Sequence, residues 1–317
     1  MRGKIQRNYS IFSMACLGAR ALGAIGGEVT STTVAVFSNA RNDDEGAYFR
    51  FVVMGSEEGK SAGILEALAD PDCGWFYRRD ADTFNQIPGT PIAYWLSDAA
   101  IKNMAFLPGL SCCAQPKQGM VTRDNMRFMR LWWEIELIDF DDAIQSHEEA
   151  RESRAKWLPC TSGGQFRKWF GNNESVIFWE HDGAELIAFS GPHIKNRQFY
   201  FLPAVTWSSI SSGVFSTRYV SAGYLPEHAG NCFYANESML ALIQGVANSS
   251  IAMFFMALLS PSLNFNVGDV ARIPIAKPFD YAQQDEIINY VRALRSESKV
   301  DWDSFETSWD FKRHPLI

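Results

Sequence analysis

"VTWSSISSGVFSTRY", residues 205–219, carries a single charge, Arg218, in a chain of 317 residues whose formal net charge is −7. Small hydroxyls fill it, and Trp207 and Tyr219 add rings with polar edges. It reads as parts of two strands, near 199–207 and 214–220, with a third near 231–234. Working outward, no Asp or Glu occurs from Leu186 to Pro226, although the chain holds 36 acids. A second acid-free window, Ser153 to Asn173, contains Arg154, Lys156, Arg167 and Lys168 with Trp157 and Trp169 interleaved. An acidic total argues against a diffusely basic nucleic-acid binder, but it leaves a local basic groove open.

Around these windows the chain is long enough for two domains with sizeable cores. The segments 11–18 and 29–38 read as strands of an α/β sheet, and 61–69 as a short helix. Gly26-Gly27 precedes a strand, whereas a phosphate or methyl-donor loop needs its glycines before a helix, so a turn is expected there. A second unit is expected from Gly119. In it, "SVIFWEHDGAELIAF" (175–189) reads as a hairpin turning at Asp182-Gly183, and the charged run 139–157 as a surface helix. Residues 281–298 form an amphipathic helix with Ile287, Ile288, Val291 and Leu294 inward.

The run "SMLALIQGVANSSIAMFFMALL" (238–259) has no formal charge, but Gln244, Asn248, Ser249 and Ser250 interrupt it. Polar groups there are costly in lipid without partners, so one buried helix or two short ones are expected, with no membrane partner. The cysteines, Cys16, Cys73, Cys112, Cys113, Cys160 and Cys232, form no C-x-x-C pair, and no signal peptide is visible. Reduced, buried thiols in a cytoplasmic protein and no metal site are the expectation. The five His are scattered, and no nucleophile elbow, Walker loop or H-E-x-x-H occurs. His193 alone draws notice, because Lys195 and Arg197 lie beside it.

Six blocks carry more information than any of these features. "LGARALGAIGGEVTSTTVAVF", "FNQIPGTPIAYWLS", "KQGMVTRDNMRFMRLWWE", "GGQFRKWFGNNESVIFWEHDG", "VTWSSISSGVFSTRY" and "PSLNFNVGDVARIPI" follow one another along the chain. In this order they resemble the PglX-type adenine-specific DNA methyltransferases of BREX phage-defence systems. The resemblance implies an α/β remnant of a Rossmann-like methyltransferase domain followed by an α+β target-recognition domain. The expected boundaries are 1–70 for the methyltransferase end, 71–118 for a connecting segment and 119–317 for DNA recognition.

That family methylates N6 of adenine in a base flipped from the duplex. It holds the adenine in an Asn-Pro-Pro-Tyr loop and S-adenosylmethionine on a glycine-rich loop. Neither loop is present, and Asn-Pro does not occur at all. The chain is therefore expected to begin downstream of the active site and to have no catalytic, cofactor-binding or metal-binding residues. Recognition without chemistry is expected, and S-adenosylmethionine is not expected to bind this chain alone. The expected partners are double-stranded DNA, a separate N-terminal methyltransferase fragment and other BREX components. A rival reading is a non-enzymatic DNA-binding or partner-interaction module.

Arg and Lys suit phosphates, amides and Arg suit base edges, and hydroxyls and aromatics complete such contacts. The candidate DNA-binding residues are accordingly Thr122, Arg123, Asn125, Lys156, Arg167, Lys168, Trp169, Lys195, Asn196, Arg197, Trp207, Ser208, Ser211, Arg218 and Tyr219.

Overall fold

The computed structural model describes residues 8–21, 31–39, 44–87, 89–211, 214–260, 263–276 and 281–317. Contacts divide the chain into two compact units, Met1–Leu107 and Pro108–Ile317.

In the first unit, β1 (Ser10–Gly18), β2 (Thr32–Ser38), β3 (Gly46–Arg50) and β4 (Phe76–Arg79) form a sheet of order β2-β1-β3-β4. β1 and β3 are parallel, and the other pairs are antiparallel. Aromatic packing builds the core: Tyr48 stacks on Tyr94 at 4.8 Å and meets the edge of Phe84 at 5.6 Å. Helix α1 (Glu57–Ala69) starts where Ser56 Oγ accepts from Gly59 N at 3.0 Å, four residues before the expected start. Ser97 caps α2 (Asp98–Phe106) in the same way. Gly26-Gly27 and the first residues of the expected 29–38 strand lie outside the described residues.

The second unit contains β5 (Gln115–Lys117), β6 (Met129–Leu131), the helix α3 (His147–Glu152), β7 (Trp157–Thr161), β8 (Ser175–Phe178) and the helix α4 (Glu180–Ser190). Then come β9 (Ala204–Ser208), β10 (Thr217–Val220), β11 (Leu225–Pro226) and β12 (Gly230–Tyr234). After them come α5 (Glu237–Ala247), α6 (Ser250–Leu259), a one-turn helix at Val267–Val270 and α7 (Tyr281–Trp302). Two sheets result, β10-β9-β12-β5 and β11-β7-β8-β6. Residues 115–117, expected in a connecting segment, are thus a strand of this unit.

Every residue of β9 and β12 is buried, because both faces of their sheet are covered. Val205, Trp207 and Phe233 pack with Leu240, Ile243, Ala252 and Met256 of α5 and α6. On the other face Ala204, Val220 and Cys232 meet Tyr224 and Tyr234. Burial on both faces thus accounts for the lack of acids in "VTWSSISSGVFSTRY": an unpaired carboxylate has no place there.

The polar break in the 238–259 run is internally bonded. α5 and α6 bend by 73° across it. Gln244 Nε2 donates to Trp169 O at 2.9 Å, and Asn248 takes Thr217 N at 2.8 Å and gives Nδ2 to Thr217 O at 3.0 Å. No single helix among the described residues is long and apolar enough to cross a membrane.

The hairpin expected at 175–189 does not form. β8 ends at Phe178, and His181, Asp182 and Gly183 adopt φ of 53°, 57° and 76° before the chain continues as helix. The Asp-Gly pair is drawn inward: the buried Asp182 carboxylate accepts from His147 Nδ1 at 2.6 Å, Arg197 Nη2 at 2.8 Å and Trp179 Nε1 at 3.2 Å. A Cβ at Gly183 would lie 2.7 Å from the Trp179 ring, so that turn requires glycine. The charged run 139–157 is helical only over α3, where Ser146 caps it. All six cysteines are free, and Cys112 is exposed, contrary to the expectation of buried thiols. It sits in a one-turn 3-10 helix that is too short to cover it.

Candidate nucleic-acid interface

Backbone and side-chain hydrogen bonds gather several loops of the second unit. Met120 N donates to Pro226 O and His228 N to Met120 O, both at 2.8 Å. Val121 N reaches His193 O at 3.2 Å, and Asn196 Nδ2 reaches Gln118 O at 3.0 Å. Ser209 N donates to Ala229 O at 2.8 Å, and Ser209 Oγ to His228 O at 2.6 Å. Ser208 Oγ joins Gly164 O at 3.2 Å, adding the Gly-rich loop before Arg167.

The most exposed charges of this cluster are basic. Arg123 and Lys195 are exposed, and His193 and His228 are half-buried. Arg123 has φ 65° and Asn196 φ 60°, both in the left-handed region that turn residues adopt. The acids are occupied: Asp124 accepts Arg127 N at 3.1 Å, and the buried Glu227 accepts Ala229 N at 2.7 Å. Burial holds the Glu227 carboxyl above its ordinary pKa of 4.5.

The fifteen candidates from sequence separate into two groups. Thr122, Arg123, Asn125, Lys195, Asn196, Ser208 and Ser211 lie on the cluster or at its base. Of these, Thr122 and Ser208 are buried. Thr122 Oγ1 bonds Asn125 Oδ1, so it shapes the loop and has no surface of its own.

The others are bonded within the chain. Lys156 Nζ lies 2.9 Å from Asp139 Oδ2, which raises its pKa. Arg167 pairs with Asp301 and sits over Trp302, while Lys168 Nζ donates to Asn248 O at 2.8 Å. Arg197 bonds Asp182. Trp169 hydrogen-bonds through its backbone to Thr217 and Tyr219. Tyr219 Oη donates to Glu237 at 3.1 Å beneath the Arg295 guanidinium.

Trp207 and Arg218 are corrections to the sequence reading, being 0% and 1% exposed. Trp207 gives its indole N–H to Phe265 O at 3.0 Å inside the α5/α6 core. Arg218 Nη2 touches Ser208 Oγ at 3.3 Å, and its Nε and Nη1 find no partner among the described residues. Desolvation pulls its pKa down to about 10. Neither side chain faces solvent, so both support the loops from behind. His228 was missed, since nothing in its sequence neighbourhood separates it from a surface histidine.

No protein-family model matches the chain. In three dimensions it is similar to a solved structure of the Type IIL restriction-modification enzyme MmeI in complex with DNA. The TM-score is 0.50 at 12% identity, over 98% of this chain and 41% of that one. The class is thus a mixed α/β protein sharing a fold with part of a restriction-modification enzyme.

The sequence narrows this further. The chain is 34% identical over 98% of its length to the adenine-specific methyltransferase PglX of Lacticaseibacillus casei (strain Zhang). It is 34% identical over its whole length to the adenine-specific methyltransferase BrxX of Escherichia coli O9:H4 (strain HS). It spans 26% and 25% of those proteins. The chain therefore resembles a portion of the adenine-specific methyltransferases PglX and BrxX.

Proposed function

We propose that this chain is the C-terminal, target-recognition portion of a site-specific adenine-N6 DNA methyltransferase of a BREX system. On this reading the loop cluster around Arg123 and Lys195 faces double-stranded DNA. The observation that carries it is whole-length similarity to such enzymes in a chain without Asn-Pro-Pro-Tyr. Arg123 and Lys195 would bind phosphates, and Asn125 and Asn196 would read base edges. The Gly-rich loop at Gly164 and the hydroxyls of Ser208 and Ser211 would line the approach. The end of a methyltransferase domain, near residues 1–70, and a separate catalytic fragment as partner belong to the same proposal.

The described residues that follow β3 do not fit S-adenosylmethionine, the donor of the family that the chain resembles. Among the described residues, the turn from β3 to α1 has one glycine, Gly55, and leads into Glu57 and Glu58. Those carboxylates oppose the donor's own carboxylate. Isothermal titration of the chain with S-adenosylmethionine should show no binding, and micromolar affinity would overturn that part of the reading. Titration with random and selected duplexes over a salt series tests the rest. Specific binding with a steep salt dependence is expected, and no DNA binding would refute recognition.

A further inference from the structure

Cys112 ends the one-turn 3-10 helix Leu110–Cys112, and Cys113 caps it, just before β5. Their Sγ atoms lie 3.1 Å apart in a thiol–thiol hydrogen bond. The surroundings of the two differ. Cys112 is exposed, whereas Cys113 is half-buried and packs against the α5/α6 core. Burial, together with the hydrogen bond to Cys112, pushes the Cys113 thiol up to about 11, so it keeps its proton near neutrality.

The backbone holds the pair in place. Leu110 is buried, its N–H donates to Ile273 O at 2.9 Å, and Ser111 N donates to Ala271 O at 3.1 Å. Cys113 N closes the turn on Leu110 O at 3.0 Å. Gly109 sits so near residue 271 that a Cβ there would lie 2.4 Å from Ala271 O. The two sulfurs therefore meet on a turn that is pinned to residues 271–273.

We propose that Cys112 and Cys113 form a reversible oxidation site for hydroperoxides, closing to a disulfide between adjacent residues. The exposed Cys112 sulfur, as thiolate, attacks the outer oxygen of hydrogen peroxide or an organic hydroperoxide. The O–O bond breaks, an S–O bond forms, and the thiol's proton ends on the departing oxygen as water or alcohol. Cys112 is thereby oxidised by two electrons to a sulfenic acid, and the peroxide is reduced by the same two. The Cys113 sulfur, already in contact, then attacks the Cys112 sulfur. An S–S bond forms as the S–O bond breaks, and the Cys113 proton leaves with the hydroxide as water. The sulfurs have only about 1 Å to close to reach a bonding distance of about 2.05 Å.

Such a bond is strained. Consecutive Cα atoms are about 3.8 Å apart, below the span of about 4.4 Å or more that disulfides usually bridge. Strain raises the reduction potential, so glutathione reopens the bond and it is no structural staple. The chemistry is independent of what the chain recognises.

The test treats the reduced parent chain with a slight excess of hydrogen peroxide, alkylates the remaining thiols and maps the tryptic peptide of residues 103–117, whose cysteines are Cys112 and Cys113 alone. That peptide should be recovered unalkylated and lighter by two hydrogen atoms, and glutathione should restore both alkylatable thiols. Cys113→Ser should give no light peptide and should add oxygen at Cys112, because nothing there resolves the sulfenic acid. Recovery of both thiols alkylated in the parent would overturn the proposal, as would sulfinic acid at Cys112 in the parent. A chain-to-chain disulfide through Cys112, seen as a dimer on a non-reducing gel, would also refute the pairing. An unoxidised Cys112 in the serine variant would refute the order of attack, and a bond that survives glutathione would refute its reversibility.

Discussion

Arg167 and Asp301 form an ion pair across 134 residues of sequence. The pair cancels one of the charges that make the 153–173 window look basic. Because Asp301 is 64% exposed, screening keeps the pair weak. Arg167→Ala should cost at most about 1 kcal/mol of stability and leave the salt slope of DNA binding unchanged. Thermal unfolding and a salt-series titration check both halves. A flattened slope would return Arg167 to the interface.

Arg123 and Lys195 are expected to behave differently. Each stands exposed on the loop cluster. Replacing either with Ala should weaken binding to random and selected duplexes alike and reduce the logarithmic salt slope by about 1. Equal slopes in parent and variants would move the cleft elsewhere.

Gln244 offers a sharper test of the core. It is completely buried among apolar side chains, yet its amide donates to Trp169 O and accepts Arg295 Nε at 2.6 Å. Gln244→Met keeps the volume and adds apolar surface, but it leaves the buried Arg295 Nε without its acceptor, while Trp169 O keeps the Tyr219 N–H. It should destabilise the chain by about 3 kcal/mol. Denaturant unfolding measures this, and a neutral or stabilising result would refute the assigned bonds.

Glu227 predicts a pH dependence. Desolvation raises its carboxyl pKa in the folded chain above the ordinary 4.5. The folded state therefore keeps its proton when the unfolded state has lost it, and stability falls as pH rises from about 4.5 through the folded value. Glu227→Gln removes that loss. The variant should be more stable than the parent at pH 7, and the gap should close at pH 4. Denaturation at the two pH values checks the sign.

What the sequence made legible follows from periodicity. The strand expected near 231–234 and the helix spaced by Ile287, Ile288 and Val291 form at 230–234 and 281–302, whereas the strand expected near 199–207 starts only at Ala204, after a 3-10 turn at Arg197–Phe199. The polar interruption at Asn248 left one helix or two short ones open, and the chain forms two. The basic windows misled, because distance along the chain is not distance in space. Lys156 finds its acid 17 residues away, Arg197 15, and Lys168 a carbonyl 80 residues on. Freedom from acids in sequence marked a buried sheet. The Asp-Gly turn misled for a related reason: its partners, His147 and Arg197, lie in other segments.

The amide of Asn248 has one more consequence. It meets both the N–H and the carbonyl of Thr217, as a neighbouring strand's peptide group would, and Trp169 takes the next positions along β10. The outermost strand of that sheet is thus sealed by a side chain and a loop, with little left to template another polypeptide. β2, at the border of the first unit's sheet, has Val34, Val36 and Phe37 about half exposed. Among the described residues, the β2 border, unlike the β10 border, presents exposed apolar side chains on which copies of the chain could adhere by strand addition.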